Sequence, residues 1–85
     1  MDDLKQRFDA AVAASKQLPE RPSTLTLLRL YALYKQANEG DASGERPGGF
    51  VDAAKWDAWK AVAGMSRDDA MRAYADQVDA LAAAG

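Results

Sequence analysis

The sequence contains no isoleucine and only four valines. β-Branched side chains suit pleated, half-buried surfaces, so a chain this poor in them has little from which to build a sheet. Alanine fills the gap with 19 of the 85 residues. It is the residue that costs a helix least, and its small side chain lets helices approach closely. An all-α fold follows. A chain of 85 residues fits one domain, residues 1–85, and a domain of that size buries only ~60% of the surface its unfolded chain exposes.

Prolines and glycines cut the chain into segments. Asp2 and Asp3 stand where a first helix is capped. Leu4, Phe8, Ala11, Val12, Ser15 and Leu18 follow at the spacing of one helical face, until Pro19 and Pro22 stop it. Ser23 or Thr24 caps a second helix over Leu25 to Ala37, apolar on nearly every side. Such a helix is buried on two faces or covers something other than protein. Gly40 supplies a left-handed end. The next link runs over about residues 41–51, and four of the six glycines fall between Gly40 and Gly49. Helix connections usually run about 2–8 residues, so it reads either as a mobile surface linker or as a functional segment. A long link permits a crossover, which lets the second and third helices run the same way. The third helix is expected over Ala53 to Ala63, capped by Asp52 and ended by Gly64. Trp56, Trp59 and Val62 mark its apolar side, and the two tryptophans read as core packing. Ser66, with Asp69 three residues on, opens the fourth helix as a capping box. Ala70, Tyr74, Gln77, Val78 and Leu81 share one stripe, and the tail Ala82 to Gly85 is expected to fray.

Several function classes drop out. There is no cysteine and no histidine, which removes disulfides, thiolate chemistry, the usual zinc sites and triad-type bases. The carboxylates fall at helix starts and on polar faces, and no nucleophile–base pair is visible. The glycine-rich link lacks the Gly-Lys-Ser/Thr ending of a P-loop and follows no strand. No enzyme activity, metal or cofactor is expected. A net charge of −2 with a pI near 4.9 argues against a nucleic-acid partner. No apolar run approaches ~20 residues, so stable membrane insertion is not expected. The N-terminus lacks the shape of a signal peptide, which makes a cytoplasmic protein the expectation. With no heptad or spare apolar stripe, a monomer is the expectation.

The basic residues show one suggestive grouping. Tyr31 and Lys35 are four apart on one helix, Lys55 sits beside Trp56, and Lys16 lies near the end of the first helix. An ammonium beside a phenol suits a phosphate, one giving charge and the other a directed donor. On spacing alone the same residues also read as core tyrosines with wet hydroxyls and as lysines of a solvated face.

Larger blocks carry a resemblance. Tyr31-Ala32-Leu33-Tyr34-Lys35-Gln36-Ala37, Gly40-Asp41, Glu45-Arg46-Pro47-Gly48 and Lys55-Trp56-Asp57-Ala58-Trp59 occur in that order, and Ser66, Asp69, Ala70, Met71 and Tyr74 extend them. From about Phe8 to Leu81 the chain resembles the acyl-CoA-binding protein family. The resemblance implies a four-helix up-down-down-up bundle that binds medium- to long-chain acyl-CoA without chemistry and serves fatty acid metabolism as carrier and buffer. It implies that Tyr31, Lys35 and Lys55 hold the adenosine 3′-phosphate, that Lys16 and Tyr74 touch the ligand, and that Ala32, Leu33 and Tyr34 line the site. Leu27, Leu28 and Ala54 match positions near the acyl chain. The chain departs from the family pattern in places. It is about two residues shorter between Gly48 and Lys55, lacks one ligand-contacting lysine there, and has Val12 where a small alanine is common.

The first reading is therefore a cytosolic acyl-CoA carrier that delivers thioesters to acyl-CoA-using enzymes. The second is a helical protein-interaction module that keeps the fold without ligand binding. A phosphopantetheine-type acyl carrier ranks below both, because that class resembles an Asp-Ser-Leu attachment motif and no serine here follows an aspartate.

Overall fold

The computed structural model describes residues 3–84. Helix α1 spans Asp3–Ser15, α2 Thr24–Glu39, α3 Phe50–Lys60 and α4 Arg67–Ala84. The capping role expected of Asp2 lies outside the described residues.

Helix α1 stops short of Leu18. Lys16 and Gln17 donate their N–H groups to the Ala13 and Ala14 carbonyls at 3.2 and 3.0 Å, and Ser15 Oγ donates to the Val12 carbonyl at 2.7 Å. These tighter bonds end the α-helical ladder, and Pro19 disfavours helical backbone at the residue before it. Leu18 still packs against the core, from outside the helix. At the start of α2 the cap is Ser23, whose Oγ accepts the Thr26 N–H at 3.2 Å. Gly40 ends α2 at φ 81°, a conformation that costs a residue with a Cβ.

Helix α3 begins at Phe50, earlier than its sequence suggests. Gly49 is its extended cap residue, and the Gly49 carbonyl accepts the Ala53 N–H at 2.8 Å. Asp52 stands inside the first turn, where its charge faces the positive end of the helix. The helix closes at Lys60, and tight turns carry the chain to Gly64 at φ 91°. Ser66 Oγ accepts the Asp69 N–H at 3.0 Å before α4, while the Asp69 carboxylate pairs with Arg72. Helix α4 runs to Ala84, through alanines that favour helix; Gly85 lies outside the described residues.

Pairings give the helix directions. Phe8 stacks near Tyr34 while Ser15 faces Leu27 and Tyr31, so α1 and α2 are antiparallel. Lys55 lies over Tyr31, Trp59 bonds to Gly40 and Gly64 to Asp41, so α2 and α3 run the same way. Gln36 reaches Met65 while Tyr34 faces Tyr74, so α4 opposes α2. The result is an up-down-down-up bundle. Its core joins Phe8, Leu30, Leu33, Tyr74 and Val78, with Ala11, Ala37, Ala70 and Ala75 where helices come close. Phe8 meets Tyr74 edge to face at 5.2 Å. Arg7 ties the α1–α4 seam by reaching both Asp76 and Asp79. Among the described helices, α3 packs only against α2.

The glycine-rich link is pinned rather than loose. The Asp41 carboxylate accepts the Gly64 N–H at 2.8 Å and the Gln36 side-chain amide at 2.7 Å. Gln36 also donates to the Met65 carbonyl at 2.9 Å. The backbone N–H of Gly64, and after it the Gln36 amide, hold the Asp41 carboxyl below its usual range. Further along, Arg46 grips Asp57 with two bonds of 2.8 Å, a fork geometry that fixes orientation. No helix of the described residues is long and apolar enough to cross a membrane.

Candidate functional site

Two pockets flank Tyr31. Toward α3, a space of about 260 Å³ is lined by Tyr31, Pro47, Asp52, Lys55, Trp56 and Trp59. Toward α1 and α4, a second of about 220 Å³ is lined by Ser15, Pro22, Leu27, Leu30, Tyr31, Tyr34 and Tyr74. In the second, the Tyr74 hydroxyl donates to Ser15 Oγ at 3.2 Å, and Ser15 in turn donates to the Val12 carbonyl. That relay fixes the phenol of a residue whose ring is buried.

Ammonium groups lie over the rings of the first pocket. Lys55 Nζ is 5.4 Å from the Tyr31 ring centroid, Lys35 Nζ is 4.9 Å from that of Trp59, and Lys60 Nζ is 5.7 Å from that of Trp56. The negative faces of the rings attract them. Lys35 also pairs with Glu39 one turn on, and that bond is the main reason its ammonium resists deprotonation beyond the ordinary lysine range. The cluster gathers positive charge where aromatic faces are open to a ligand, which suits an anion attached to a flat or apolar group.

The largest of these three spaces, a cleft of about 490 Å³, lies between α2 and α3. Leu25, Leu28, Ala32, Ala54, Ala58 and Val62 give it apolar walls, with Arg29 and Asp57 on its lining. It adjoins the cationic pocket through consecutive residues. Ala32 faces the cleft and Tyr31 the pocket; Ala54 faces the cleft and Lys55 the pocket.

The structure brings most of the expected site residues together, though not in one layer. Tyr31, Lys55, Tyr34, Tyr74 and Leu27 line the two pockets, and Leu28, Ala32 and Ala54 line the cleft. Lys16 is exposed on the turn beside Ser15. Leu33 is different: it is 0% exposed and belongs to the core. A continuous stretch turns about 100° per residue on a helix, so Tyr31 to Lys35 cannot all face one ligand. The tryptophans also depart from expectation. Both are half-buried walls of the cationic pocket rather than core. Trp59 Nε1 donates to the Gly40 carbonyl at 2.8 Å, whereas the buried Trp56 Nε1 has no protein partner. Pro47, placed by the Arg46–Asp57 grip, was also not singled out as a site residue. Its position in the link gives no periodic signal, because the link is not helical.

A small all-α bundle with a cation–aromatic pocket opening onto an apolar cleft is a ligand-binding fold, and comparison with known proteins gives the family. Residues 5–78 match the family model described as acyl CoA binding protein. The chain is 46% identical over 82 residues to an acyl-CoA-binding protein of Saccharomyces cerevisiae, covering 94% of each. It is 48% identical over 80 residues to acyl-CoA-binding domain-containing protein 1 of Oryza sativa subsp. japonica, covering 92% of this chain and 88% of that one. The crystal structure of Oryza sativa acyl-CoA-binding protein 2 superposes with a TM-score of 0.87 at 43% identity, over 93% of this chain and 88% of that one. This chain belongs to the acyl-CoA-binding protein family.

Proposed function

We propose that the protein binds medium- to long-chain acyl-CoA and acts as a cytoplasmic carrier and buffer without catalysing a reaction on it. The observation that carries this reading is the junction at Tyr31–Ala32 and Ala54–Lys55, where one step along each helix passes from a cationic, aromatic pocket to an apolar cleft. A ligand suited to that junction is phosphorylated at one end and aliphatic at the other. Lys35, Lys55 and the Tyr31 hydroxyl take the adenosine 3′-phosphate, with Lys16, Tyr34 and Tyr74 around the rest of the head group. The acyl chain follows Leu28 and Ala54, with Leu27 on the neighbouring face. Each methylene removed from water contributes ~0.8 kcal/mol, so the cleft supplies affinity and a chain-length preference. The protein works as a monomer and hands its ligand to acyl-CoA-using enzymes.

Calorimetric titration with palmitoyl-CoA tests this, with free CoA and free palmitate as controls. Tight binding of the thioester and weak binding of each half is the expected result; no heat from the thioester overturns it. A second reading, a protein-interaction module, draws on Phe50 and Val51, which are 92% and 60% exposed at the start of α3. It gains from the same titration if the thioester fails to bind.

A further inference from the structure

We infer that Glu39 sets the affinity of the site by competing with the ligand's phosphate for Lys35. The inference rests on the acyl-CoA reading above.

Of the three lysines over the pocket's rings, the two assigned to the phosphate are not equivalent. Lys55 lies over Tyr31, and no carboxylate of the described residues pairs with it. Lys35, 24% exposed in its side chain, lies over Trp59 and is held by the Glu39 carboxylate. An incoming phosphate meets one available ammonium and one already neutralised. To use Lys35 it must displace Glu39 or share the ammonium with it, and in either case two anions approach each other.

Helix stability does not account for Glu39. It is the last residue of α2, where the helix dipole disfavours negative charge. An ion pair spaced i,i+4 on an exposed helix surface adds little to the helix. The larger consequence is for whatever anion Lys35 is meant to hold.

The test is calorimetry with octanoyl-CoA and with its 3′-dephospho analogue, on the wild type, Glu39→Gln, Lys35→Met and the double variant. Surface ion pairs span roughly 0.2–1 kcal/mol, so Glu39→Gln should tighten octanoyl-CoA binding roughly 1.4- to five-fold at low salt. The gain should shrink as salt screens the charges. It should vanish for the dephospho analogue and in the Lys35→Met background. Melting curves confirm that all variants are folded. If the wild type binds and Glu39→Gln leaves its Kd unchanged or weaker, the competition is refuted and the acyl-CoA reading stands. An equal gain for both ligands also refutes it, since the carboxylate then opposes some other group. If the wild type binds neither ligand, the functional reading falls and the inference with it.

Discussion

Trp56 and Trp59 offer a matched comparison of what a buried N–H contributes to stability. Both are half-buried, both lie on α3, and each carries a lysine over its ring. They differ at Nε1. The Trp59 N–H donates to Gly40 at 2.8 Å and joins α3 to the end of α2, while the Trp56 N–H is buried without a protein partner. Replacing either by Phe removes similar apolar area and a similar cation–ring contact. At position 59 it also removes a hydrogen bond whose net contribution is about 0.5–1.5 kcal/mol. At position 56 it removes a donor that folding leaves unsatisfied, and deleting an unsatisfied polar group relieves a desolvation cost. Trp59→Phe should therefore be the more destabilising by about 1–2 kcal/mol. For a domain of this size 1 kcal/mol moves Tm by about 4–8 °C, so the two midpoints should differ by roughly 5–15 °C. The assay is thermal melting of the ligand-free proteins followed by far-ultraviolet circular dichroism. Equal midpoints, or a lower one for Trp56→Phe, would refute the reasoning.

Phe8→Ala empties the position where the Tyr34 and Tyr74 rings meet. It should cost about 3–5 kcal/mol, a large part of a typical domain's stability; a urea midpoint close to wild type would contradict that. Lys55→Met removes the unpaired ammonium from the pocket and should weaken palmitoyl-CoA binding roughly 10- to 100-fold. Its melting midpoint should stay near that of the wild type. The Asp41 carboxyl is held below its usual range, so its bonds stabilise the folded state above the unfolded-state pKa of about 4 and are lost as pH falls through the lower folded value. Asp41→Ala should therefore lower Tm at neutral pH, and its Tm should fall less steeply than the wild type's below about pH 4. Parallel acid limbs would show that Asp41 is not the group responsible. Asp57, depressed by Arg46, keeps some slope in the variant.

The four helices were legible because their breaks are chemical. Pro19, Pro22, Gly40 and Gly64 each forbid or strain helical continuation, and each lies at or near an observed end. The start of α3 was missed because Asp52 is the better side-chain cap, whereas the chain turns at Gly49 and leaves Phe50 and Val51 in water. The tryptophans show a different limit. Spacing of three places Trp56 and Trp59 on one face, but periodicity does not say what covers that face. Here it is lysines, Pro47 and an open pocket, supplied by residues distant in sequence. The blocks that carry the resemblance named Tyr31 and Leu33 alike; sorting Tyr31 toward the pockets and Leu33 into the core required the helix's rotation. The link's order rests on Asp41, Gln36, Arg46 and Asp57, which pair across non-helical backbone that no period reports.

Because the buried core cluster draws on α1, α2 and α4 and includes no residue of α3, the bundle has an inner three-helix body and one outlying member. Proteins open in cooperative units, and the least-buried unit opens at the lowest cost. The α3 amides should thus exchange with solvent through partial openings that leave α1, α2 and α4 protected. The pocket and cleft span the seam between the two units. A molecule seated there closes that seam and suppresses the opening in proportion to how tightly it binds. Amide protection along α3 would then report occupancy directly.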